Sequence, residues 1–251
     1  MIRAVLFDLG GTLHTSANSP ERKLWFAKRL IDRLADYDIP LDITPDALAR
    51  QLDVNSEIYK HETEESLREL PTEIIWNDYF LREQHIGRDR LRPISEELSF
   101  LYDYERVRNL RRPHLTECFD ALRKLGIRTG VISNIISLSI VPHFLAEYHL
   151  TEYMECVITS AETGIRKPSK DIFRIAEARM HLSPNELAYV GDTLSRDVRG
   201  TRNAGWARMI QIRNPSVAHR DLGMEGLGYA PDDRIDDLME IPQIIRRENA
   251  I

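Results

Sequence analysis

The chain has 251 residues, 42% hydrophobic and 29% charged, with a formal net charge of −6. This balance is typical of a globular protein with a sizeable apolar core, and it excludes a largely disordered chain. The negative charge excludes a broad basic field for nucleic acid, and no apolar stretch approaches membrane-spanning length. Met1 leads directly into the first predicted strand, so we expect no leader peptide and a cytoplasmic protein without nucleic-acid or membrane partners.

Residues 3–7 are predicted to form a short buried strand. The region from about 20 to 108 is predicted to be helical. Within it, "LWFAKRLIDRLADY" repeats apolar residues at helical spacing, and Thr44 before Pro45 is typical of a helix start. The predicted apolar face of the first helix consists of Leu24, Ala27, Ile31 and Leu34.

After Pro113 the pattern changes to alternating helices and strands. Strands are predicted at 127–133, in "CVITS", at Leu187–Val190 and in "ARMIQI", with helices between them. Ser183 and Glu186 form a capping-box pattern, and Gly205 is placed to end a helix. Such alternation predicts an α/β fold with a Rossmann-like, doubly wound parallel sheet.

Two other features are interpreted as structural. Cys118 and Cys156 lie in apolar surroundings without metal-ligand spacing, and we predict buried free thiols. A cluster of arginines precedes Pro113 and is interpreted as a solvated basic face rather than a polyanion site. Its members are Arg106, Arg108, Arg111 and Arg112.

Polar residues follow the predicted strands at points where parallel strands share one edge of the sheet. They are Asp8, the pair Ser133–Asn134, Lys167 and Asp192. Ligands bind outside this edge in doubly wound sheets. Two carboxylates can hold Mg²⁺, while a lysine and a hydroxyl can stabilise a phosphoryl group. One shielded carboxylate can attack phosphorus, and Gly10 and Gly11 allow the backbone to approach an anion closely.

Four stretches of the sequence resemble the signature motifs of the haloacid dehalogenase (HAD) superfamily of hydrolases. They are "FDLGGTL" at 7–13, "VISN" at 131–134, "GIRKPSKDIF" at 164–173 and "VGDTLSRDVRGTRNAG" at 190–205. The resemblance is to helical-cap members of the phosphoglycolate phosphatase and dehalogenase type. It implies a core formed by residues 1–15 and 109–251, with an inserted α-helical cap at 16–108.

The resemblance also implies roles for individual residues. Asp8 is the expected nucleophile and a Mg²⁺ ligand, and Lys167 is expected to balance the charge of nucleophile and phosphate. Thr12, Ser133 and Asn134 are expected around the substrate. The metal site is expected to include the Gly10 carbonyl, Asp192 and Asp197, the last through the metal's water shell.

The sequence departs from the family's phosphatase pattern at Gly10, where the resemblance implies an aspartate that acts as general acid–base. The sequence therefore predicts a Mg²⁺-dependent phosphatase of a small phosphorylated metabolite, acting through an aspartyl-phosphate with weakened turnover. His14 is one candidate replacement for the missing acid–base.

Two alternatives remain open. One is a catalytically silent HAD-fold protein that binds Mg²⁺, a phospho-ligand or a protein partner. The other is a phosphonatase-like enzyme that cleaves carbon–phosphorus bonds with a cap lysine, for which Lys23, Lys28 and Lys60 are the candidates.

Overall fold

A computed structural model describes residues 1–224 and 226–250. Its strands are β1 (Ala4–Phe7), β2 (His14–Ala17), β3 (Arg108–Arg111), β4 (Arg128–Ser133), β5 (Met154–Thr159), β6 (Leu187–Gly191), β7 (Arg208–Ile212) and β8 (Asp233–Ile235). Six of them form a parallel sheet in the order β5-β4-β1-β6-β7-β8. The predicted doubly wound α/β fold is confirmed.

Helices connect the strands and cover the sheet. The α-helices are α1 (Pro20–Ala35), α2 (Pro45–Ser66), α3 (Thr72–Ile74), α4 (Arg88–Leu91), α5 (Ser95–Glu105), α6 (Leu115–Lys124), α7 (Ile140–Glu147), α8 (Ser160–Thr163), α9 (Lys170–Met180), α10 (Arg199–Ala204) and α11 (Glu240–Asn249). Ile75–Phe80 and Leu194–Val198 are π-helical, and Arg82–Gln84, Thr151–Tyr153, Pro184–Glu186 and Pro215–Asp221 are 3₁₀ turns.

The central strands are buried on both faces, as expected for a parallel sheet between two helical layers. On one face, Phe7 packs against Phe119 of α6 with ring centroids 4.8 Å apart. On the other face, Phe173, Tyr189 and Trp206 form a cluster of edge-on aromatic rings. The two apolar layers fix the position of β1 at the middle of the sheet.

Strand register brings the functional loops to one edge. Phe7, the last residue of β1, is paired with Val131 of β4 on one side and Val190 of β6 on the other. Strands β4 and β5 lie on one side of β1, and β6, β7 and β8 lie on the other. The strand order therefore reverses at β1, which is the switch point of the sheet. Residues that follow β1, β4 and β6 therefore converge on the same rim.

Helices α1 to α5 enclose a separate apolar cluster that includes Phe26, Trp76 and Phe80. The predicted start of α2 is confirmed, since the Thr44 hydroxyl accepts a hydrogen bond from the amide of Ala47 at 3.3 Å. The predicted apolar face of α1 is partly wrong. Leu24 is exposed and Ile31 only half-buried, because the buried face of α1 is rotated from the predicted one. This face consists of Phe26, Ala27, Leu30 and Leu34.

Two short strands that the sequence analysis did not predict flank the helical segment. β2 and β3 pair antiparallel, with His14 opposite Arg111 and Ala17 opposite Arg108. Each has four residues with polar composition, so neither carries the apolar alternation that indicates a strand. The boundaries of core and cap at 16 and 108 remain a prediction.

The arginine run near residue 110 is only in part a solvated face. Arg108 and Arg111 are exposed, as predicted. Arg106 is largely buried, pairs with Asp53 and lies over the ring of Tyr102. Arg112 reaches back to the loop after β1, where it donates to the carbonyl of Gly11 at 2.6 Å. The interpretation was therefore wrong for these two residues, because both satisfy long-range partners.

Several smaller predictions are confirmed. Cys118 and Cys156 are buried free thiols, and Ser183 and Glu186 form a capping box. Gly205 ends α10 with a φ of 74°. Within the two described ranges, the helices are all too short or too polar to cross a membrane.

Gly200 offers a test of how tightly α10 packs against α9. A Cβ atom at this position would lie 2.6 Å from Cε2 of Phe173 and 3.3 Å from the backbone of Pro168. We expect Gly200→Ala to lower the free energy of unfolding by about 1–3 kcal/mol, because the buried ring has to shift. Urea unfolding measures the change. The exposed Asn203→Ala on the same helix is the control, and a Gly200→Ala protein as stable as this control would contradict the predicted overlap.

Candidate functional site

Three polar side chains lie at the shared rim of β1, β4 and β6. Asp8 follows β1, Ser133 ends β4 and Asp192 follows β6, and all three are buried. The Ser133 hydroxyl donates to Oδ1 of Asp8 at 3.2 Å. The strand register thus brings together residues that are up to 184 positions apart in the sequence, as their positions after strands predict.

Lys167 enters the same site from the loop between α8 and α9. Its Nζ lies 2.9 Å from Oδ1 of Asp8, 2.7 Å from Oδ1 of Asp197 and 2.8 Å from the hydroxyl of Tyr189. The ammonium group has three N–H donors, and each has a protein acceptor. Lys167 is therefore buried and fully hydrogen-bonded within the site.

Asn134 holds Lys167 in place through the main chain. Its amide nitrogen donates to the carbonyl of Lys167 at 3.0 Å, and its amide oxygen accepts from the Lys167 N–H at 2.8 Å. Both ends of the Asn134 side chain are used in this contact. The structure therefore gives this residue a positioning geometry, whereas the sequence analysis placed it around the substrate.

The two later carboxylates differ in how they are satisfied. Oδ2 of Asp197 accepts from the amides of Asp192 and Thr193 and from the Thr193 hydroxyl, at 3.2, 3.0 and 2.6 Å, and Oδ1 is bound by Lys167. Asp192 accepts from Asn214 at 2.7 Å through Oδ2, while its buried Oδ1 has no partner among the described residues. Asp197 thus braces the loop, and Asp192 retains an oxygen for a ligand.

The site concentrates negative charge in a buried volume. Asp8, Asp192 and Asp197 each offer a carboxylate oxygen within 4.8 Å of the others. Burial raises the pKa of Asp8, and burial together with Asp197 and Asp8 raises the pKa of Asp192 to about 7. Burial acts to raise the pKa of Asp197 as well, but Lys167 and Arg196 lower it to about 2. A divalent cation among these oxygens would relieve the repulsion.

The loop that follows Asp8 is shaped by its two glycines. Gly11 has a φ of 87°, and a Cβ there would lie 1.9 Å from Oδ2 of Asp192. Only glycine allows this close approach of the loop to the carboxylate. Gly10, in contrast, is exposed, and a Cβ added there would meet no atom within 4 Å. Thr12 is buried in the same loop, with no hydrogen-bond partner for its hydroxyl among the described residues.

A cavity of about 850 Å³ opens over Asp8, between the sheet edge and the helical segment. Its helical wall includes Lys23 and Lys60, which pair with Asp53 at 2.8 Å and Glu57 at 2.9 Å. The third cap lysine of the sequence analysis, Lys28, is exposed. The cavity is large enough for a small metabolite.

Two titratable side chains in this cavity are candidates for proton transfer. His14 is buried, its Nδ1 lies 3.1 Å from the hydroxyl of Tyr148, and burial lowers its pKa to about 4. Asp103 of α5 lines the same cavity, and burial and Glu69 raise its pKa to about 8. His14 is consequently neutral at pH 7 and a weak base. Asp103 was missed by the sequence analysis because it carries no motif.

The helical segment is joined to the site by a buried carboxylate, Glu69, in the turn after α2. Glu69 forms an ion pair with Arg166 and accepts from the hydroxyls of Tyr59 and Ser160, the latter at 2.6 Å. Ser160 in turn accepts from the amide of Ile135 at 2.8 Å. Glu69 therefore contacts the loop that carries Lys167 directly through Arg166, and it is linked to the segment after Ser133 through Ser160.

We expect Arg166→Gln to lower the free energy of unfolding by about 3–5 kcal/mol, since it leaves the Glu69 carboxylate buried without its counter-charge. The double variant Arg166→Gln with Glu69→Gln should recover most of this loss, because no unpaired charge remains. Urea unfolding of the two proteins measures the difference. A single variant that costs less than about 1 kcal/mol would mean that water already solvates the pair.

Comparison with known proteins shows that most of the chain matches one protein family. Residues 2–205 match a family model described as haloacid dehalogenase-like hydrolase. Glyceraldehyde 3-phosphate phosphatase of Methanopyrus kandleri is 26% identical over 247 residues, covering 98% of each chain. The protein of the same name from Methanocaldococcus jannaschii is 27% identical over 249 residues, again covering 98% of each chain.

Solved structures share the fold over nearly the whole length. A 2-haloacid dehalogenase from Pseudomonas syringae pv. Tomato DC3000 superposes with a TM-score of 0.65 at 20% identity, covering 99% of this chain and 100% of the other. A HAD phosphatase from Thermococcus onnurineus superposes with a TM-score of 0.59 at 25% identity, covering 97% and 98%. The similarity thus includes both the sheet and the helical segment.

Proposed function

Because the chain belongs to the haloacid dehalogenase-like hydrolase family, we propose that it is a Mg²⁺-dependent phosphatase of a small phosphorylated metabolite. The family, the fold and the hydrolase class agree with the predictions from the four motifs. Full-length relatives named glyceraldehyde 3-phosphate phosphatase support the phosphomonoester class. They support no particular substrate, since identity is below 30%.

The observation that carries the proposal is the environment of Asp8. Its carboxylate is held by the Lys167 ammonium and the Ser133 hydroxyl on the same oxygen, Oδ1. This arrangement leaves Oδ2 without either contact and fixes the direction in which it points. An oriented carboxylate at the floor of a ligand-sized cavity is suited to nucleophilic attack on phosphorus.

The chain's residues fit a magnesium ion. Asp8 and Asp192 would hold it, with the Gly10 carbonyl, while Asp197 would support the site through the Asp192 loop. The unpartnered Oδ1 of Asp192 and the close carboxylates support this assignment. When bound, the ion would supply positive charge that reduces the repulsion between Asp8 and an anionic substrate.

The proposed reaction has two displacements at phosphorus. An oxygen of Asp8 forms a bond to phosphorus while the bond to the leaving oxygen breaks, and that oxygen takes the electron pair and a proton from water in the cavity. Water then attacks the aspartyl-phosphate, releasing Asp8 and inorganic phosphate, with the water's proton passing to solvent. Ser133 keeps the nucleophile oriented, and Lys167 stabilises its carboxylate.

Gly10 makes proton transfer the weak step of this reaction. A glycine provides no group to protonate the leaving oxygen or to activate water, and neutral His14, hydrogen-bonded to Tyr148, is a poor substitute. This observation favours one second candidate, a protein that binds Mg²⁺ and a phospho-ligand without turning it over. The phosphonatase-like alternative has less support, because Lys23 and Lys60 are tied to acidic partners.

The first test is p-nitrophenyl phosphate turnover with Mg²⁺. We expect release of p-nitrophenol that chelation with EDTA abolishes, and a loss of at least about 10³-fold in Asp8→Asn because the nucleophile is gone. Asp89→Asn, an exposed acidic position in α4, is the control for general charge effects. Turnover that survives in Asp8→Asn would eliminate the aspartyl-phosphate mechanism.

The second test restores the missing carboxylate. Gly10 is exposed, its φ is not positive, and a Cβ meets no atom within 4 Å, so Gly10→Asp is sterically tolerated. We expect turnover of p-nitrophenyl phosphate to rise by at least about 10-fold, toward the roughly 10²–10⁴-fold effect of a positioned acid–base. Gly10→Asn has the same shape without the proton and should not accelerate the reaction. Equal rates in Gly10→Asp and Gly10→Asn would show that proton transfer at this position is not limiting.

A further inference from the structure

The cationic side chains that line the cavity differ in how they are neutralised. In the part of the chain that the structure describes, five of them have an acidic partner and Arg196 has none within 4.0 Å. The paired ones are Lys23 and Arg106 with Asp53, Lys60 with Glu57, Arg166 with Glu69, and Lys167 with Asp8 and Asp197. The side chain of Arg196 also makes no hydrogen bond to the described residues. Its guanidinium is thus available to a ligand.

Lys167 already has three protein partners in the site. Its three donors are directed at Asp8, Asp197 and Tyr189, at 2.9, 2.7 and 2.8 Å. Tyr189 is itself fixed, because its hydroxyl donates to the carbonyl of Ile132 at 2.7 Å. Lys167 therefore orders the nucleophile, and a second cation in the cavity would add positive charge for the phosphoryl oxygens.

The turn that carries Arg196 is built to direct two successive side chains differently. Asp197 points into the protein, where Lys167 and Thr193 bind it, while Arg196 lines the cavity together with Asp8 and Asp192. Asp221 fixes the start of the turn by accepting from the amides of Leu194 and Ser195 at 2.8 and 3.2 Å. Arg196 is thus presented to the cavity by a braced segment.

Charge balance indicates what Arg196 would bind. Lys167 and a bound divalent cation would together neutralise the three carboxylates, so a phosphomonoester dianion would bring negative charge that these groups do not offset. The guanidinium of an arginine is charged at any physiological pH. Its five N–H groups match the spacing of two phosphoryl oxygens.

We propose that Arg196 is a catalytic residue that binds the non-bridging oxygens of the phosphoryl group under transfer, in addition to the charge that Lys167 supplies beside the nucleophile. This inference rests on the proposed phosphatase function. The same guanidinium could instead bind an anionic group on the leaving part of the substrate, such as a carboxylate. The ligand chemistry is an oxyanion in both cases, and the experiment separates the two sources.

The experiment measures inorganic phosphate binding by calorimetry, with Mg²⁺ present, on the full chain. We expect Arg196→Gln to weaken phosphate binding by about 10- to 100-fold, the loss of charge-assisted hydrogen bonds to an anion. Arg196→Lys should lie between this variant and the native protein, since it keeps the charge but not the fork. Arg199→Gln, an exposed arginine three residues further on, is the matched control and should bind phosphate like the native protein.

Turnover of two three-carbon substrates identifies the group that Arg196 contacts. Arg196→Gln should lower kcat/KM for glycerol 1-phosphate and for 3-phosphoglycerate by the same factor, because both share the phosphoryl group. A loss confined to 3-phosphoglycerate, with phosphate affinity unchanged, would place Arg196 at the leaving group and overturn the proposal. Phosphate affinity equal to that of Arg199→Gln would overturn it as well.

Failure of the inference and failure of the proposed function are distinguishable. If the native protein hydrolyses esters and Arg196→Gln binds phosphate as the native protein does, the phosphatase function is supported and the proposed role of Arg196 is wrong. If the native protein hydrolyses no ester and still binds phosphate through Arg196, the phosphoryl-binding site is supported and the enzymatic activity is ruled out. Native protein that neither hydrolyses esters nor binds phosphate overturns both.

Discussion

The site depends on one buried ammonium group. Lys167 is almost completely enclosed, and it is the shared partner of Asp8 from the first strand's loop and Asp197 from the fourth motif. Two carboxylates this close in a water-poor environment repel each other strongly, and a third, Asp192, lies beside them. Without Lys167 the loops after β1 and β6 would each bring an uncompensated charge into the protein. The ammonium group therefore holds the loops at the rim of the sheet together and fixes the carboxylate of Asp8.

The helical segment also helps to hold the loop that carries Lys167 in place. Arg166, its neighbour in the chain, is paired with Glu69, and Glu69 also contacts Ser160 beneath the Ser133 loop. A change in position of the helical segment would thus reach both loops through one carboxylate. The helical segment that covers the cavity is thus coupled to the loops at the cavity floor. The coupling is direct, because the buried charge of Glu69 is satisfied by partners on both sides.

Sequence reasoning located the residues whose positions follow from topology. Asp8, Ser133 and Asp192 come directly after predicted strands, so the parallel sheet alone requires that they meet. Lys167 was placed at the same edge because it lies one loop beyond a predicted strand, whereas Asp197 was found only through the motif resemblance. Glu69 and Arg112 were not identified, because their importance lies in partners about one hundred residues away, which no local pattern encodes. Arg196 lies within a motif, but only the structure shows that it lacks a partner among the described residues.

The two glycines after Asp8 are present for different physical reasons. Gly11 is required by packing, because its backbone adopts a left-handed conformation and lies against the carboxylate of Asp192. Gly10 has neither constraint: its φ is not positive and space surrounds it. A side chain could be present there without disturbing the fold, so stability does not account for its absence. The lack of a side chain at position 10 is thus not imposed by contacts around its Cβ, and the cluster of Asp8, Asp192 and Asp197 beside Lys167 forms without one.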